Sequence, residues 1–470
     1  MIGQLINKIK GWWHKMFDYN KIVRDFNLDL ETSADLLKAI ERWSNIYNGN
    51  EPWADQETKS LHVAKTMSEK VAGAVVNEYK SYCSDKYINS IYQKFLSKVQ
   101  DNTELMIGKS CIFFKPFYDD SGIQVSIIQA DKFIPVKFDD SGKLLGCITI
   151  DQITKENDVY TRLEYSELIS NKMVTKNIAY KGKVNGIVLE TKINVNSVDK
   201  WSEIDEQSEI EGIDRIIGGF ATMPVVNTID NNSPIGMPIW FNALETLEEI
   251  DKQFSRIIWE FEGTELAVDV DTTTLPLDKK GNPIYPKGKQ RLFRLLSFDD
   301  TKDKTYNVFS PEIRENPLFN GLNEYLRLAE VQCHLEHGTL SKAEISPKTA
   351  AETNQRKQTY YTTVSNIQRA MQNAFDDLVY GIYVLCKIYG IPVGNNYEIE
   401  HDWDDSILVD KESARTKALL DLNNGITSKV QYIMETRNMK EKEAIEFIQR
   451  QEEYRKLTEP PKEKEPPEEE

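Results

Sequence analysis

The chain has 470 residues and a mass of 54.2 kDa, room for roughly three structural units at ~150 residues each. Its 58 Lys and Arg stand against 75 Asp and Glu, a formal charge of −17. That excludes a protein that coats nucleic acid through a basic surface and leaves only local or fleeting contact with DNA. At 40% hydrophobic and 28% charged residues the composition is that of a folded chain and not of a disordered one. No window approaches the ~18 consecutive apolar residues that span a bilayer, and the start lacks an apolar core followed by a small-residue cleavage site. The expectation is therefore neither a signal-peptide-secreted nor a membrane-spanning protein. Cys83, Cys111, Cys147, Cys333 and Cys386 are odd in number, scattered and without a CxxC pair, which predicts reduced, mostly buried thiols.

Residues 1 to 17 place Ile2, Leu5, Ile6, Ile9, Trp12, Trp13 and Phe17 on one side of a helix and Lys8, Lys10 and Lys15 elsewhere. Such an amphipathic segment fits a membrane interface or an arm docking on a neighbouring subunit, and the second is the simpler reading. Helical spacing then runs over Thr32 to Tyr47, Thr58 to Tyr79 and Lys86 to Gln100. From Ser110 the period becomes two. The turns Asp119-Asp120-Ser121-Gly122 and Asp139-Asp140-Ser141-Gly142 predict two hairpins, followed by strands over Thr161 to Ile169, Met173 to Tyr180 and Gly186 to Ile193, an antiparallel meander. No helices alternate with these strands, so a doubly wound nucleotide-binding sheet is not expected.

After Ser233-Pro234-Ile235-Gly236 a helix is predicted from about Ile239 to Glu262, with Trp240, Leu244, Leu247, Phe254, Ile258 and Phe261 as its apolar stripe. Asp251 interrupts the stripe, and a carboxylate there needs a partner; either it faces a wet or shared surface, or it pairs across subunits. Gly263 to Pro317 reads as short strands and turns. Within it, Lys279, Lys280, Lys287, Lys289, Arg291 and Arg294 make the most basic stretch of an acidic chain. A second helix is predicted over Leu318 to His337, then a loop to Ser346. Pro347 to Tyr389 keeps three-or-four spacing throughout, a helix on the order of 60 Å long. Lys411 to Leu422 and Ser428 to Leu457 read as closing helices, and TEPPKEKEPPEEE as a disordered acidic tail.

Chemistry has little material. Gly108-Lys109-Ser110 resembles the end of a phosphate-binding loop, but the glycine required five residues earlier is Thr103, so Lys109 reads as leading into the first strand. Cys333 and His337 have a spacing that would share a helical face, with His334 beside them, yet a structural zinc site wants four ligands. An ordinary helix end with His337 complementing the macrodipole is preferred. Asp269 and Asp271 are a carboxylate pair that nothing nearby completes. The expectation is no catalytic residue, no metal and no cofactor.

The order of parts is specific where single motifs are not. Trp43 to Gly49 (WSNIYNG) with Trp53, Lys65 to Glu78 (KTMSEKVAGAVVNE), Met223 to Gly236 (MPVVNTIDNNSPIG), Ile250-Asp251, Lys348 to Glu352 (KTAAE) and Asn424 to Ser428 (NGITS) together resemble the portal protein of tailed bacteriophages, the subgroup of Gram-positive hosts in particular. The resemblance implies an α+β portal fold: a helical and β-rich wing over 1–232, a first stem helix over 233–262, a β-rich clip over 263–317 and a second stem helix over 318–337. A tunnel loop over 338–346, a long wing helix over 347–390, a crown over 391–457 and a tail over 458–470 complete it. It implies a ring of about twelve subunits at one capsid vertex, a channel for double-stranded DNA in packaging and ejection, in the virion and, during assembly, in the host cytoplasm. Its partners would be the terminase large subunit, a head-completion or neck adaptor, and the major capsid and scaffolding proteins. Glu245, Glu248, Asp251, Lys252 and Arg256 would line the channel, Lys342 and Lys348 would touch DNA from the tunnel loop, and the six clip cations would dock the motor or adaptor. The alternatives from other classes are a nucleic-acid-processing enzyme using Asp269, Asp271 and Lys109, and a membrane-surface assembly factor driven by the N-terminal helix.

Overall fold

A computed structural model describes residues 19–28, 30–77, 79–183, 188–264, 267–271, 278–281, 284, 293–296, 306–309, 312–342, 350–403, 411–437, 439 and 441–458, of which 267–271, 293–296, 306–309, 350–358, 411–415, 435, 452 and 455–458 are described in backbone alone. The amphipathic segment 1–17 and the acidic tail lie outside the described residues. The fold is mixed α and β and divides into two units, 1–403 and 404–470.

The first unit opens with helices α1 (Tyr19–Phe26), α2 (Ala34–Tyr47) and α3 (Val63–Val75). Ser33 caps α2 by accepting the Leu36 N–H, and Leu36, Leu37, Ile40, Trp43 and Ile46 bury its inner face. Where one helix was expected over Lys86 to Gln100 there are two, α4 (Lys86–Leu96) and α5 (Val99–Lys109). The Ser97 hydroxyl folds back onto the Lys94 carbonyl at 2.7 Å, competing with the helical ladder, and the new axis buries Thr103, Met106 and Ile107. Gly108 ends this helix against the Tyr47 ring, where a Cβ would stand 2.3 Å from a ring carbon. The glycine serves packing, not phosphate.

Both predicted hairpins form, β2 (Cys111–Asp119) with β3 (Gly122–Gln129) and β4 (Phe133–Phe138) with β5 (Leu144–Lys155). In each turn the first Asp accepts the N–H of the Ser two residues on, at 2.8 and 2.9 Å. They belong to different sheets. The first joins β10 (Gly219–Thr222) in the order β10-β2-β3, while β4 and β5 continue through β6 (Asp158–Ile169), β7 (Lys172–Lys183) and β8 (Thr191–Ile193) as the meander, with β9 (Gln207–Glu211) also on β7. Ser170 and Asn171, at φ 48° and 63°, supply the two left-handed residues that the tight β6–β7 turn needs. One meander face, with Ile134, Ile148, Leu163 and Tyr180, buries Ile22 and Phe26 of α1.

Helix α6 (Leu244–Gly263) and helix α7 (Glu315–Gln332) flank a small sheet of β11 (Ala267–Asp271), β12 (Phe293–Leu296) and β13 (Tyr306–Phe309), with β11 in the centre. Helix α8 (Ala350–Ile388) has 39 residues, ~58 Å at 1.5 Å each. Its predicted stripe is buried from Tyr360 to Leu385. Phe375 stands among Tyr79, Tyr92, Phe95 and Phe114, ring centroids 5.6 to 6.4 Å away. Tyr389, expected to finish the stripe, lies past the helix end and is half exposed.

Beyond α8 the chain returns to the first unit: β14 (Ile399–Asp402) pairs antiparallel with β1 (Lys80–Cys83). The stretch from 391, expected to open the crown, thus belongs to the first unit as far as Trp403. The second unit holds α9 (Lys411–Asn423), α10 (Lys429–Arg437) and α11 (Glu441–Thr458). Where a single closing helix was expected over Ser428 to Leu457 there are two, one ending at Arg437 and the next starting at Glu441, and Arg437 packs its guanidinium over the Phe447 ring at 4.5 Å. All five cysteines are buried and unpaired.

Candidate functional site

The α6–α7 pair is antiparallel, and polar ties mark its register. The Thr246 hydroxyl donates to Gln332 Oε1 at 2.8 Å, the Gln253 amide to the Leu318 carbonyl at 3.0 Å, and Arg314 to both oxygens of Glu260 at 3.0 and 2.6 Å. Thr246, Gln253 and Glu260 are seven residues apart, so they share one face, with buried Ile250 and Ile257 between them. Glu260 is held below the usual carboxylate range by the Arg314 guanidinium.

Beside that seam, Glu245, Glu248, Lys252 and Arg256 follow one another at three- and four-residue steps along one face, with Glu249 flanking them and exposed Trp259 on the same side. Lys252 sits 2.8 Å from Glu248 and 2.8 Å from Glu249, leaving three carboxylates to two cations. Four of the five expected channel-lining residues are therefore together on an accessible face.

Asp251 is not among them. It is 3% exposed and anchors the 51–62 segment of its own chain: the Trp53 indole donates to Oδ2 and the Leu61 N–H to Oδ1, both at 2.8 Å. Lys59 N–H reaches Ser255 at 2.7 Å, and Ser60 and His62 turn to Glu51. Neither a wet surface nor an inter-subunit ion pair is needed. Burial raises the Asp251 carboxyl above its ordinary value, with the nearby Glu51 charge adding to it.

Helix α7 stops at Gln332, five residues short of His337, so Cys333 and His337 share no helical face and His337 does not cap the helix. Cys333 is buried, which pushes its thiol up to about 12. His337 instead joins a cluster on Glu330, whose carboxylate is 1% exposed and accepts from Gly338 N–H at 3.2 Å, Leu340 N–H at 2.5 Å, Ser341 N–H at 2.7 Å, the Ser341 hydroxyl at 2.9 Å and His337 Nδ1 at 3.0 Å. Burial alone would raise Glu330; the donated bonds outweigh it and hold the group below the usual range. The loop expected to move without a fixed core is pinned over 337–341. Lys342 follows, exposed, with its N–H on Asn323 Oδ1 at 2.7 Å. Lys348 lies outside the described residues.

Of the clip cations, Lys279 and Lys280 are exposed on a turn capped by Asp278, which accepts the Lys280 N–H at 2.8 Å. Lys287, Lys289 and Arg291 lie outside the described residues, and Arg294 is placed in β12 by its backbone. Lys109, offered for phosphate chemistry, is 2% exposed and donates to Gln129 at 2.8 Å; burial lowers its pKa. Asp269 and Asp271 stand on β11, with side chains outside the described residues.

Two arrangements were not foreseen. Ser81, His401 and Asp376 form a chain, His401 Nδ1 at 3.2 Å from Ser81 Oγ and Nε2 at 2.9 Å from Asp376. Ser81, however, is 2% exposed and donates to the Glu400 carbonyl at 2.8 Å, so the trio fastens β14 to β1 and α8. A cavity of about 460 Å³ beside it is charge-balanced, with Lys143 and Arg215 against Asp376 and Asp377, and Arg215 already bonds Asp377 at 2.9 Å. Among the described residues no helix is long and apolar enough to cross a membrane. No protein-family model matches the chain, and no curated protein matches it.

Proposed function

We propose that this chain is the portal subunit of a tailed bacteriophage, assembling into a closed ring through which double-stranded DNA enters and leaves the capsid. The reading is carried by the order of elements from Leu244 to Ile388. A helix is followed by a small three-stranded sheet, an antiparallel returning helix, a pinned loop and a 39-residue helix. It also draws support from where the sequence segments behind the resemblance meet. Trp53 bonds Asp251 across 198 positions, the Trp43 ring stands edge-on to Phe241, and the Gly236 carbonyl accepts the Ser110 hydroxyl. Segments far apart in sequence thus gather at the base of α6.

In this reading α6 and α7 form the stem, β11 to β13 the clip and the loop with Lys342 the tunnel loop. The face with Glu245, Glu248, Lys252 and Arg256 lines the channel. Three carboxylates to two cations give DNA no adhesive wall, so phosphate contact falls to sparse cations such as Lys342, each adding a modest, salt-sensitive contribution. The clip cations Lys279, Lys280, Lys287, Lys289, Arg291 and Arg294 dock the terminase or the neck adaptor. The ring itself performs no catalysis and holds no cofactor.

Native mass measurement of the purified chain tests this directly. A closed ring of about twelve copies is expected, without ATP hydrolysis unless a motor is added. A stable monomer at all concentrations, with or without capsid protein, would refute it.

A further inference from the structure

Most of the hydrogen bonds that hold the loop after α7 converge on a single carboxylate. Between Glu336 and Lys342 no apolar side chain is fully buried, so hydrophobic packing does not hold the segment down. Glu330 does so instead, taking three backbone N–H groups, one hydroxyl and one imidazole from four residues of the 337–341 stretch. Because a carboxylate only accepts, His337 turns a protonated Nδ1 towards it, which leaves Nε2 without a partner among the described residues. Two other ties hold the segment: Lys342 N–H on Asn323 Oδ1, and Lys70 of α3 on the Thr339 carbonyl.

We propose that Glu330 is a positioning residue, a latch that folds residues 337–342 back along α7 and so fixes where Lys342 stands. The loop has two discrete states, because losing this carboxylate frees all five of the bonds it accepts at once. Released, six residues gain up to ~20 Å of reach at ~3.3 Å each. The consequence for DNA rests on the portal reading; the latch does not.

Hydrogen–deuterium exchange on the full chain separates the two. In E330Q one acceptor oxygen and the charge are lost, and amides 338–341 are expected to exchange roughly ten- to a hundredfold faster, while peptides of α6 and α7 stay unchanged. S341A, which removes one donor and keeps the carboxylate, gives a smaller rise at 338 and 340. Unchanged exchange at 338–341 in E330Q overturns the latch, as does an equal rise throughout α6 and α7, which would make Glu330 a support of the helix pair. An N323A effect as large as that of E330Q also overturns it, because the loop would then be held at many points. In assembled rings E330Q should match K342A in DNA retention, since both remove the placed cation. Failure of the unmodified chain to form rings would refute the portal reading and leave the exchange result standing.

Discussion

Replacing Asp251 separates an intrachain anchor from an inter-subunit contact. The buried carboxylate bonds the Trp53 indole and the Leu61 N–H, both at 2.8 Å. Asp251→Ala strands two donors at a cost of about 1–3 kcal/mol each, reduced where the loop relaxes towards water, so about 2–4 kcal/mol is expected in total. Asp251→Asn keeps one acceptor and should cost roughly half as much. The pH dependence has a defined sign. Burial raises the folded carboxyl above its ordinary value of 3.8, so the stability linked to its protonation is fully present below pH 3.8 and is lost as pH rises through the raised folded value, a slope superimposed on the two accepted bonds. Asp251→Asn removes that slope. Urea unfolding at several pH values, with exchange at residues 51–62, reads both effects. The anchor requires the loss in the unassembled chain. A loss that appears only in assembled protein, or a change below about 0.5 kcal/mol in Asp251→Ala, would show that Asp251 acts between subunits or not at all.

The other predictions concern the proposed channel and its frame. Changing Lys279, Lys280, Lys287 and Lys289 to Ser should leave rings intact but lower DNA packaging several-fold, since such charges steer close partners over about 8 to 10 Å at ordinary salt; unchanged packaging would count against a docking role. Lys342→Ala should weaken DNA retention in filled particles, most at low salt, and a retention curve superimposable on the unmodified one at every salt concentration would remove Lys342 from the channel. Gly236→Ala should destabilise the chain by about 1–3 kcal/mol or more, because a Cβ there would stand 1.7 Å from the Met223 carbonyl oxygen and backbone must move. A melting temperature within a degree of the parent would show that the approach is looser than it stands.

What the sequence made legible follows from the range of the interactions involved. The hairpin turns were readable because Asp139 binds the backbone of Ser141 and Lys143, two and four residues on; the determinants are local. The division into two sheets depends on packing between distant parts, and no short window contains it; the break at Ser97 has a local bond to the Lys94 carbonyl, but the new axis is set by the distant packing that buries Met106 and Ile107. Asp251 announced itself as an anomaly, but its partner Trp53 lies 198 residues away. Glu330 had a signal that was passed over. An acid in the last turn of a helix opposes the macrodipole, so its presence there calls for nearby donors, which Gly338, Leu340 and Ser341 provide. The charge was readable; the loop conformation that gathers the donors was not.

The polar seam of the helix pair carries the same logic to a larger scale. Thr246, Gln253 and Glu260 occupy inward positions where leucine would bury more apolar area, and such substitutions in helical seams trade stability for a single register. The trade has a geometric reason here. A one-turn slip of α7 along α6 would keep Ile250 and Ile257 covered but move everything beyond the pair by ~5.4 Å, and the three-stranded sheet hangs between Gly263 and Glu315. Each of the three ties would lose its partner on such a slip, whereas apolar contacts would merely exchange neighbours. Directional bonds at seven-residue intervals therefore set the height of the sheet and, through Glu330 two residues from the Gln332 tie, the height of the loop as well.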